Sequence, residues 1–445
     1  MMKQKISEII SNIDEEYIRE ATDYVRIKSR PLVEWIKGKI WLAGLLVLII
    51  FGGTLLPVLF DGNLFKKEPE KLVVCTDFSI VQYVRDAVDT YNYYQRQAGE
   101  PILEVEIMSI PKDETAADIK NTEIRTAIMA GEGPDLFIFQ ADNPRINSHE
   151  PVHMLFPQPE KAMYADIFYP LDEYLENSEP FNREKCNQIV LQAGQTKEGQ
   201  MLLPLLYDYD VCLFNGEKES GSVEFPDSWE DIISSESMQQ NLRSQTTVGF
   251  YSYFGQYADY EKEEILMTEE EILKYYKVNR SYEMAWPDFL TVQHTSMSRS
   301  FLDFCTKDEN KKSFFYAVPD IDGEVTAHIS IYGGINRHTE MSDVAFSFLE
   351  CIYRDLKDGA PLMGSYGIPL EADEETLKIY RFRQMSEEQF NSIFENNARI
   401  TRARFYNSWD QDIFEMCEKQ WERDAPTLEE AVRQLYNKML MQVKE

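Results

Sequence analysis

Apolar and polar positions change their rhythm along the chain. In residues 1–39, Ile6, Ile9, Ile10, Ile13, Tyr17, Ala21 and Tyr24 recur at helical spacing with charges between them. That spacing predicts a short amphipathic helix, which Pro31 ends. Residues 40–60, IWLAGLLVLIIFGGTLLPVLF, then run for 21 positions without a charge. A helix of that length spans about 30 Å of hydrocarbon, so a single transmembrane helix is expected here. Residues 61–70 read as a short polar linker. From residue 71 onward strand-like and helix-like patterns alternate.

The first of these is KLVVC (71–75), a strand-like run. Ile80, Val84, Ala87, Val88, Tyr91 and Tyr94 follow at helical spacing over 80–97. ILEVEIMSI (102–110) alternates at period two, as a half-buried strand does. Ile119, Ile124, Ala127 and Ile128 mark a second helix over 115–130, which Gly131 and Gly133 can end in the left-handed turn. LFIF (136–139) is a buried strand, and Asp135 before it serves the turn. This β-α-β-α-β order predicts a parallel sheet with helices on both faces. In open sheets of that kind ligands sit at the carboxyl ends of strands. The stretches to watch are therefore Thr76, Asp77 and Phe78, then Phe139, Gln140, Asp142 and Asn143.

Further along, FYPLDEYLENS (168–178) predicts a short helix, and MLLPLLYDYDVCLFN (201–215) a strand broken at Pro204. FPDSWEDII (225–233) offers Ser228 as an N-cap. YAVPDIDG (from 316) and TAHISIYGGINR lead through a Gly333–Gly334 turn to a helix carrying Val344, Ala345, Phe348, Leu349 and Ile352. GSYGIPL (364–370) reads as a loop. The last helix begins at Thr427, with Glu430 completing a capping box.

Composition narrows the function. At 445 residues, 43% hydrophobic and 13% aromatic, the chain is globular and long enough for at least two domains. A net charge of −32 excludes a nucleic-acid partner, which needs clustered Lys and Arg. Arg26, Lys28, Arg30, Lys37 and Lys39 precede the apolar run, and only Lys66, Lys67 and Lys71 follow it closely. That bias predicts a cytoplasmic N-terminus and an outer location for everything after residue 60, hence a single-pass protein of the cell membrane.

Candidate chemistry is sparse. The six cysteines (Cys75, Cys186, Cys212, Cys305, Cys351, Cys417) form no CxxC pair and read mostly as buried thiols. His149 and His153 flank a proline, which argues against a helical metal pair. DIDG (320–323) falls short of a calcium loop and reads as a turn. No GxSxG and no Walker loop occur. Two carboxylates at a set separation would be needed for glycoside hydrolysis, and 77 acids make pairs uninformative without geometry. No cofactor and no metal are expected.

Eight stretches, AGEGPDLFIF, YPLDEYLE, LLPLLYDYDVCLFN, PDSWEDI, VPDIDG, YGGINRHTEMSDVAFSFLECI, GSYGIP and TLEEAVRQLYNKM, occur in this order over roughly residues 71–445. In that order they resemble the extracellular solute-binding proteins of bacterial ABC importers, in the carbohydrate-binding branch called family 1. The resemblance implies an α/β, two-lobed periplasmic-binding-protein-like fold of type II. It places residues 71–206 and 319–370 in the first lobe, and 207–318 and 371–445 in the second. Strands would cross near Tyr207 and Val318 and after GSYGIPL, with hinge closure on a solute between the lobes. The transmembrane run and cytoplasmic tail depart from the family, whose members carry a cleaved signal or a lipid-modified cysteine. The segment 245–295 also reads short for the second lobe.

The implied partners are a small solute, a carbohydrate, and ABC permease subunits. Sugar sites need flat aromatic faces and short polar groups. By position the resemblance nominates Asp77, Phe139, Asp142, Tyr207, Asp208, Arg299, Tyr332, Tyr406 and Trp409. Two other readings use the same sequence: an anchored solute-sensing receptor that signals through the tail, and a glycoside-active enzyme.

Overall fold

The computed structural model describes residues 71–141, 153–215, 253–281, 292–296, 313–358, 367–379, 385–420 and 425–444. The expected tail, the apolar run 40–60, FPDSWEDII, Asp142 and Arg299 lie outside the described residues. Among the described residues no helix is long and apolar enough to cross a membrane.

The N-terminal alternation is present. Strands β1 (Lys71–Asp77), β2 (Glu104–Ile110) and β3 (Leu136–Gln140) are interleaved with helices α1 (Val81–Ala98) and α2 (Glu114–Met129). β1 pairs in parallel with β2 on one side and β3 on the other. The α1 face is close to the expected one, with Val84, Ala87 and Tyr91 buried. Tyr94 instead lies 42% exposed, with the Arg354 guanidinium 4.1 Å above its ring. In α2 the face turns further from expectation: Ala117, Asn121, Ile124 and Ile128 are buried, and Ile119 is exposed. Asn121 is drawn inward because its amide donates to the carbonyl oxygens of His153 and Met154.

Asp135 answers to the turn, as its place before an apolar run suggests. Its carboxylate accepts the Val73 N–H at 2.7 Å and the Thr339 hydroxyl. Its own N–H donates to Val73 O and its carbonyl accepts Asn336 N–H. One residue thus registers β3 against β1 and against the strand that returns beside it.

The chain continues through α3 (Pro159–Met163), α4 (Asp172–Asn177), α5 (Gln188–Ala193) and a hairpin of β4 (Gln195–Thr196) and β5 (Gly199–Gln200). β6 (Leu203–Asp208) and β7 (Asp210–Asn215) come next. The interruption between them falls at Tyr209, not at Pro204. Pro204 sits within β6 where the pairing register shifts, a place that does not require its missing N–H. A second hairpin, β8 (Ala258–Asp259) with β9 (Glu264–Ile265), precedes α6 (Glu269–Ser281), β10 (Val292–Ser296) and β11 (Ser313–Ala317). β10 and β11 flank β7 in a three-stranded antiparallel sheet.

β12 (Val325–Ile335) is buried at every position. It is followed by α7 (Ser342–Lys357), β13 (Ile368–Pro369), α8 (Glu374–Ile379), α9 (Glu387–Ala398), β14 (Ile400–Phe405), α10 (Ser408–Lys419) and α11 (Leu428–Lys444). The larger sheet runs β13-β6-β12-β3-β1-β2, and β14 also pairs with β12. The first half of β12 lies parallel to β14 and its second half antiparallel to β3. The chain therefore leaves the larger sheet at Tyr209 and returns between Ala317 and Val325.

Gly333 and Gly334 are not a turn. They lie inside β12, where side chains would collide with neighbours: a Cβ on Gly334 would stand 2.7 Å from Leu202 Cδ2 and 2.9 Å from Phe168 Cδ1. DIDG is a turn. Asp320 accepts the N–H groups of Asp322 and Glu324 and the Thr326 hydroxyl, and it pairs with the Arg402 guanidinium at 3.1 Å. The capping box at the last helix forms between Thr427 and Glu430.

Two hydrophobic clusters hold the described residues together. One packs both faces of the larger sheet and extends through Tyr209 to Val211, Phe315 and Ala317 of the smaller one. The other gathers Tyr253, Phe254, Tyr257, Tyr275, Val318 and Trp409 with the inner faces of α10 and α11. Each large apolar side chain so buried contributes about 1.5–3 kcal/mol. Cys75, Cys186, Cys351 and Cys417 are buried in these interiors.

Asp135→Ala should remove the side-chain acceptor from Val73 N–H and from Thr339. A loss of about 1–3 kcal/mol in chemical denaturation is expected, with the denaturant slope unchanged.

Candidate functional site

The site grows from a meeting of strand ends. β3 and β14 approach the same edge of β12 from opposite directions. Ala141 N–H donates to Ser330 O at 2.8 Å, just past β3, and Tyr406 N–H donates to Ile329 O at 3.5 Å, just past β14. The carboxyl ends of β1 and β3 lie side by side next to this junction. It is the place where open α/β sheets take ligands.

Polar groups crowd the β1–β3 end. Asp77, 1% exposed, accepts the Gln140 N–H at 2.8 Å and the Ser79 N–H at 2.9 Å, and its Oδ1 also takes the Ser79 hydroxyl. The same hydroxyl lies 2.7 Å from Gln140 Oε1, so its one hydrogen is shared between the two acceptors. Burial raises the Asp77 carboxyl above its ordinary range, while the bonds from Ser79 and Gln140 pull it back down. Two atoms in this group have no hydrogen-bond partner among the described residues: Thr76 Oγ1 and Gln140 Nε2, both buried. A buried, unpaired polar group costs about 1–3 kcal/mol, so these are positions where an incoming hydroxyl would recover lost hydrogen bonding.

The other nominated residues that the structure describes are packed in the protein interior. Phe139 and Tyr332 face one another across β3 and β12, with ring centroids 6.3 Å apart, and Tyr332 meets Phe405 edge-on at 5.1 Å. Tyr406 stacks on His328 at 4.8 Å and donates to Asp208 Oδ1 at 3.0 Å. Tyr207 donates to Asn397 Oδ1 at 2.6 Å. Trp409 belongs to the second cluster, stacked on Tyr260 at 6.0 Å and donating to Gln442 Oε1 at 2.6 Å. None of Asp77, Phe139, Tyr207, Asp208, Tyr332, Tyr406 and Trp409 is more than 3% exposed. The fold brings Phe139 to Tyr332 and Asp208 to Tyr406, and holds Trp409 apart from both pairs.

Further polar residues join the junction without having been nominated. Arg404 and Asp410 form a buried bidentate pair, Nη1–Oδ2 2.8 Å and Nη2–Oδ1 2.7 Å, to which Tyr257 adds a hydrogen bond of 2.7 Å. Burial pushes the Arg404 guanidinium down, and the Asp410 carboxylate beside it outweighs that and raises it above its ordinary value. In sequence the two stand six apart in RFYNSWD, a spacing that signals nothing. Thr76 and Gln140 are legible from the strand-end rule. Among the described residues no cluster of His, Cys, Asp and Glu suits a metal ion. An open hollow of about 740 Å³ runs along α2, lined by residues such as Asp118, Ile119, Thr122 and Thr126. Its lining comes from one helix and the turn after it, and includes none of the nominated residues.

No family model matches the chain, and no curated protein matches it. Solved structures do. The sugar-binding protein MalE from the phytopathogen Xanthomonas citri superposes with a TM-score of 0.54 at 12% identity, over 84% of this chain and 98% of that one. An ABC substrate-binding protein from Listeria monocytogenes in complex with cycloalternan gives 0.50 at 14% identity, over 84% and 99%. The cyclic alpha-maltosyl-1,6-maltose binding protein from Arthrobacter globiformis gives 0.50 at 12% identity, over 84% and 100%. The chain shares a mixed α/β fold with these solute-binding proteins.

Arg404→Met should cost about 3–5 kcal/mol, because it leaves Asp410 buried without its counter-charge. The decrease is to be read from urea unfolding of the full chain.

Proposed function

We propose that the chain is a membrane-anchored extracytoplasmic solute-binding protein that captures an oligosaccharide for an ABC importer. In this reading residues 40–60 span the membrane once, residues 1–39 lie in the cytoplasm, and residues 71–445 form two lobes that close on the solute by a hinge. The protein binds and releases; it performs no bond-making step. Permease subunits are its protein partners.

One observation carries the reading. On a fold shared with sugar-binding proteins, the carboxyl ends of β1 and β3 hold a buried hydroxyl and a buried amide, Thr76 Oγ1 and Gln140 Nε2, with no partner among the described residues. Short polar groups of this kind suit sugar hydroxyls. Asp77 locks the two strand ends together, and Phe139, Tyr332, Tyr406 and Asp208 support the junction from below. Asp142 and Arg299 are proposed as further contacts, from the segments after β3 and β10.

The full chain in detergent is to be screened by thermal shift against oligosaccharides, peptides and amino acids. A ligand at a hundredfold excess over its Kd stabilises the folded form by about 2.7 kcal/mol. An oligosaccharide hit is expected, and Thr76→Val with Gln140→Leu should weaken it tenfold or more while the unliganded midpoint holds. Binding of peptides or amino acids alone would refute the carbohydrate assignment. No shift with any solute would refute solute capture.

A further inference from the structure

Glu160 occupies an odd position in this fold. It lies in α3, on the strap of chain that returns after β3, and its Oε1 accepts the Phe405 N–H at 2.8 Å at the very end of β14. Neighbours of Glu160 fasten the same strap to the C-terminal helices. Ser408 N–H donates to Pro157 O at 2.8 Å, Gln158 Nε2 to Ser408 Oγ at 3.2 Å, and Lys161 Nζ to Gln442 O at 2.5 Å. Residues 157–161 therefore clamp the junction where β3 and β14 meet.

Glu160 Oε2 is buried and has no hydrogen-bond partner among the described residues. The groups that face the carboxyl come from every side: Arg404 of β14, Asp410 of α10, Tyr260 before β9, Tyr332 of β12, and Tyr164 at the end of α3. Arg404 is already committed to both oxygens of Asp410, to Phe405 O and to the face of Tyr257. Lys161 is spent on Gln442. Glu160 as a residue is only partly buried, but its ionised Oε2 would be shielded from water near a second carboxylate, with the neighbouring guanidinium neutralised by that carboxylate. A proton removes this cost and leaves Oε1 free to keep the Phe405 N–H.

We propose that Glu160 is a proton-operated latch, closed over the end of β14 when neutral and released from it when ionised. Release carries the carboxylate to water and frees the strap 157–161 from the strand junction. Burial lifts the carboxyl to about 7, with its own N–H, Phe405 N–H and Arg404 pulling it down and Asp410 pushing it up. The sign follows from linkage. Because the folded value lies above the ordinary 4.5, the latch is fully stabilised below about pH 4.5 and weakens as pH rises towards 7. Above that it stays weak. Each pH unit in the window shifts the opening equilibrium by up to about tenfold, roughly two to three orders of magnitude in all. The latch operates whether or not a sugar binds.

Hydrogen exchange of the full chain, corrected for the intrinsic pH dependence of exchange, reads the latch at residues 153–164 and at the Phe405 amide. Protection should fall as pH rises from about 5 to 7 in the wild type and stay low to pH 8. Glu160→Gln, neutral at every pH, should hold the same protection throughout. A Glu160→Gln chain that keeps the wild-type pH profile would overturn the proposal. If that variant does not fold, the wild-type profile decides: a flat profile, or a midpoint below pH 5, overturns it equally.

Discussion

Strand β12 is the constraint on which the rest of the described fold depends. All eleven of its residues are buried, so each of its backbone polar groups must find a partner inside the protein. β6 serves one edge. The other edge is shared, β14 taking Val325–Ile329 and β3 taking Ile331–Ile335. Two strands that run towards each other cannot continue through the same place, so both stop at Ser330. The carboxyl-end junction, and with it the candidate site, is a direct result of that shared edge. Gly333 and Gly334 belong to the same design, since they let Phe168, Leu202 and Leu349 close over the strand.

A chain this acidic also has to bury some of its carboxylates, and it does so by pairing them. Glu371 lies at 0% exposure with Lys357 at 2.9 Å and the Tyr353 hydroxyl at 2.6 Å. Asp320 is held by Arg402, Thr326 and two backbone N–H groups. Asp410 has Arg404 and Tyr257, and Asp77 has Ser79 and the Gln140 N–H. Glu160 differs from these four in that neither a hydrogen bond nor an ion pair among the described residues reaches its Oε2. Buried carboxylates serve as struts where they are matched. Where one is left unmatched, protonation becomes a variable of the structure.

The candidate site was legible in part. Strand ends can be located from periodicity, and that rule alone leads to Thr76, Asp77, Phe139 and Gln140. The aromatic nominations divide differently. Tyr207, Tyr332, Tyr406 and Trp409 are each buried, with ring or hydrogen-bond contacts inside the protein. A tyrosine that stacks on histidine and one that stacks on sugar have the same neighbours in sequence. The Arg404–Asp410 pair and the Glu160–Phe405 bond could not be read at all, because each joins residues whose spacing carries no signal of contact.

What the sequence by itself determined is the order of elements from β1 to β3, the helix of residues 342–357, the last helix with its capping box, and the turn role of Asp135. These follow from local rules: period two or 3.6, glycine after a helix, a carboxylate at a strand's start. Ile119 against Asn121, the break at Tyr209 instead of Pro204, and a glycine pair inside a strand instead of a turn were settled only by tertiary structure. In each case a distant partner outbid the local preference: a carbonyl at residue 153 for Asn121, a register shift against β12 for Pro204, and the side chains of Phe168 and Leu202 for Gly334. Local pattern encodes which residues favour an element. Only the packed chain decides which face of it is buried and what each buried polar group meets.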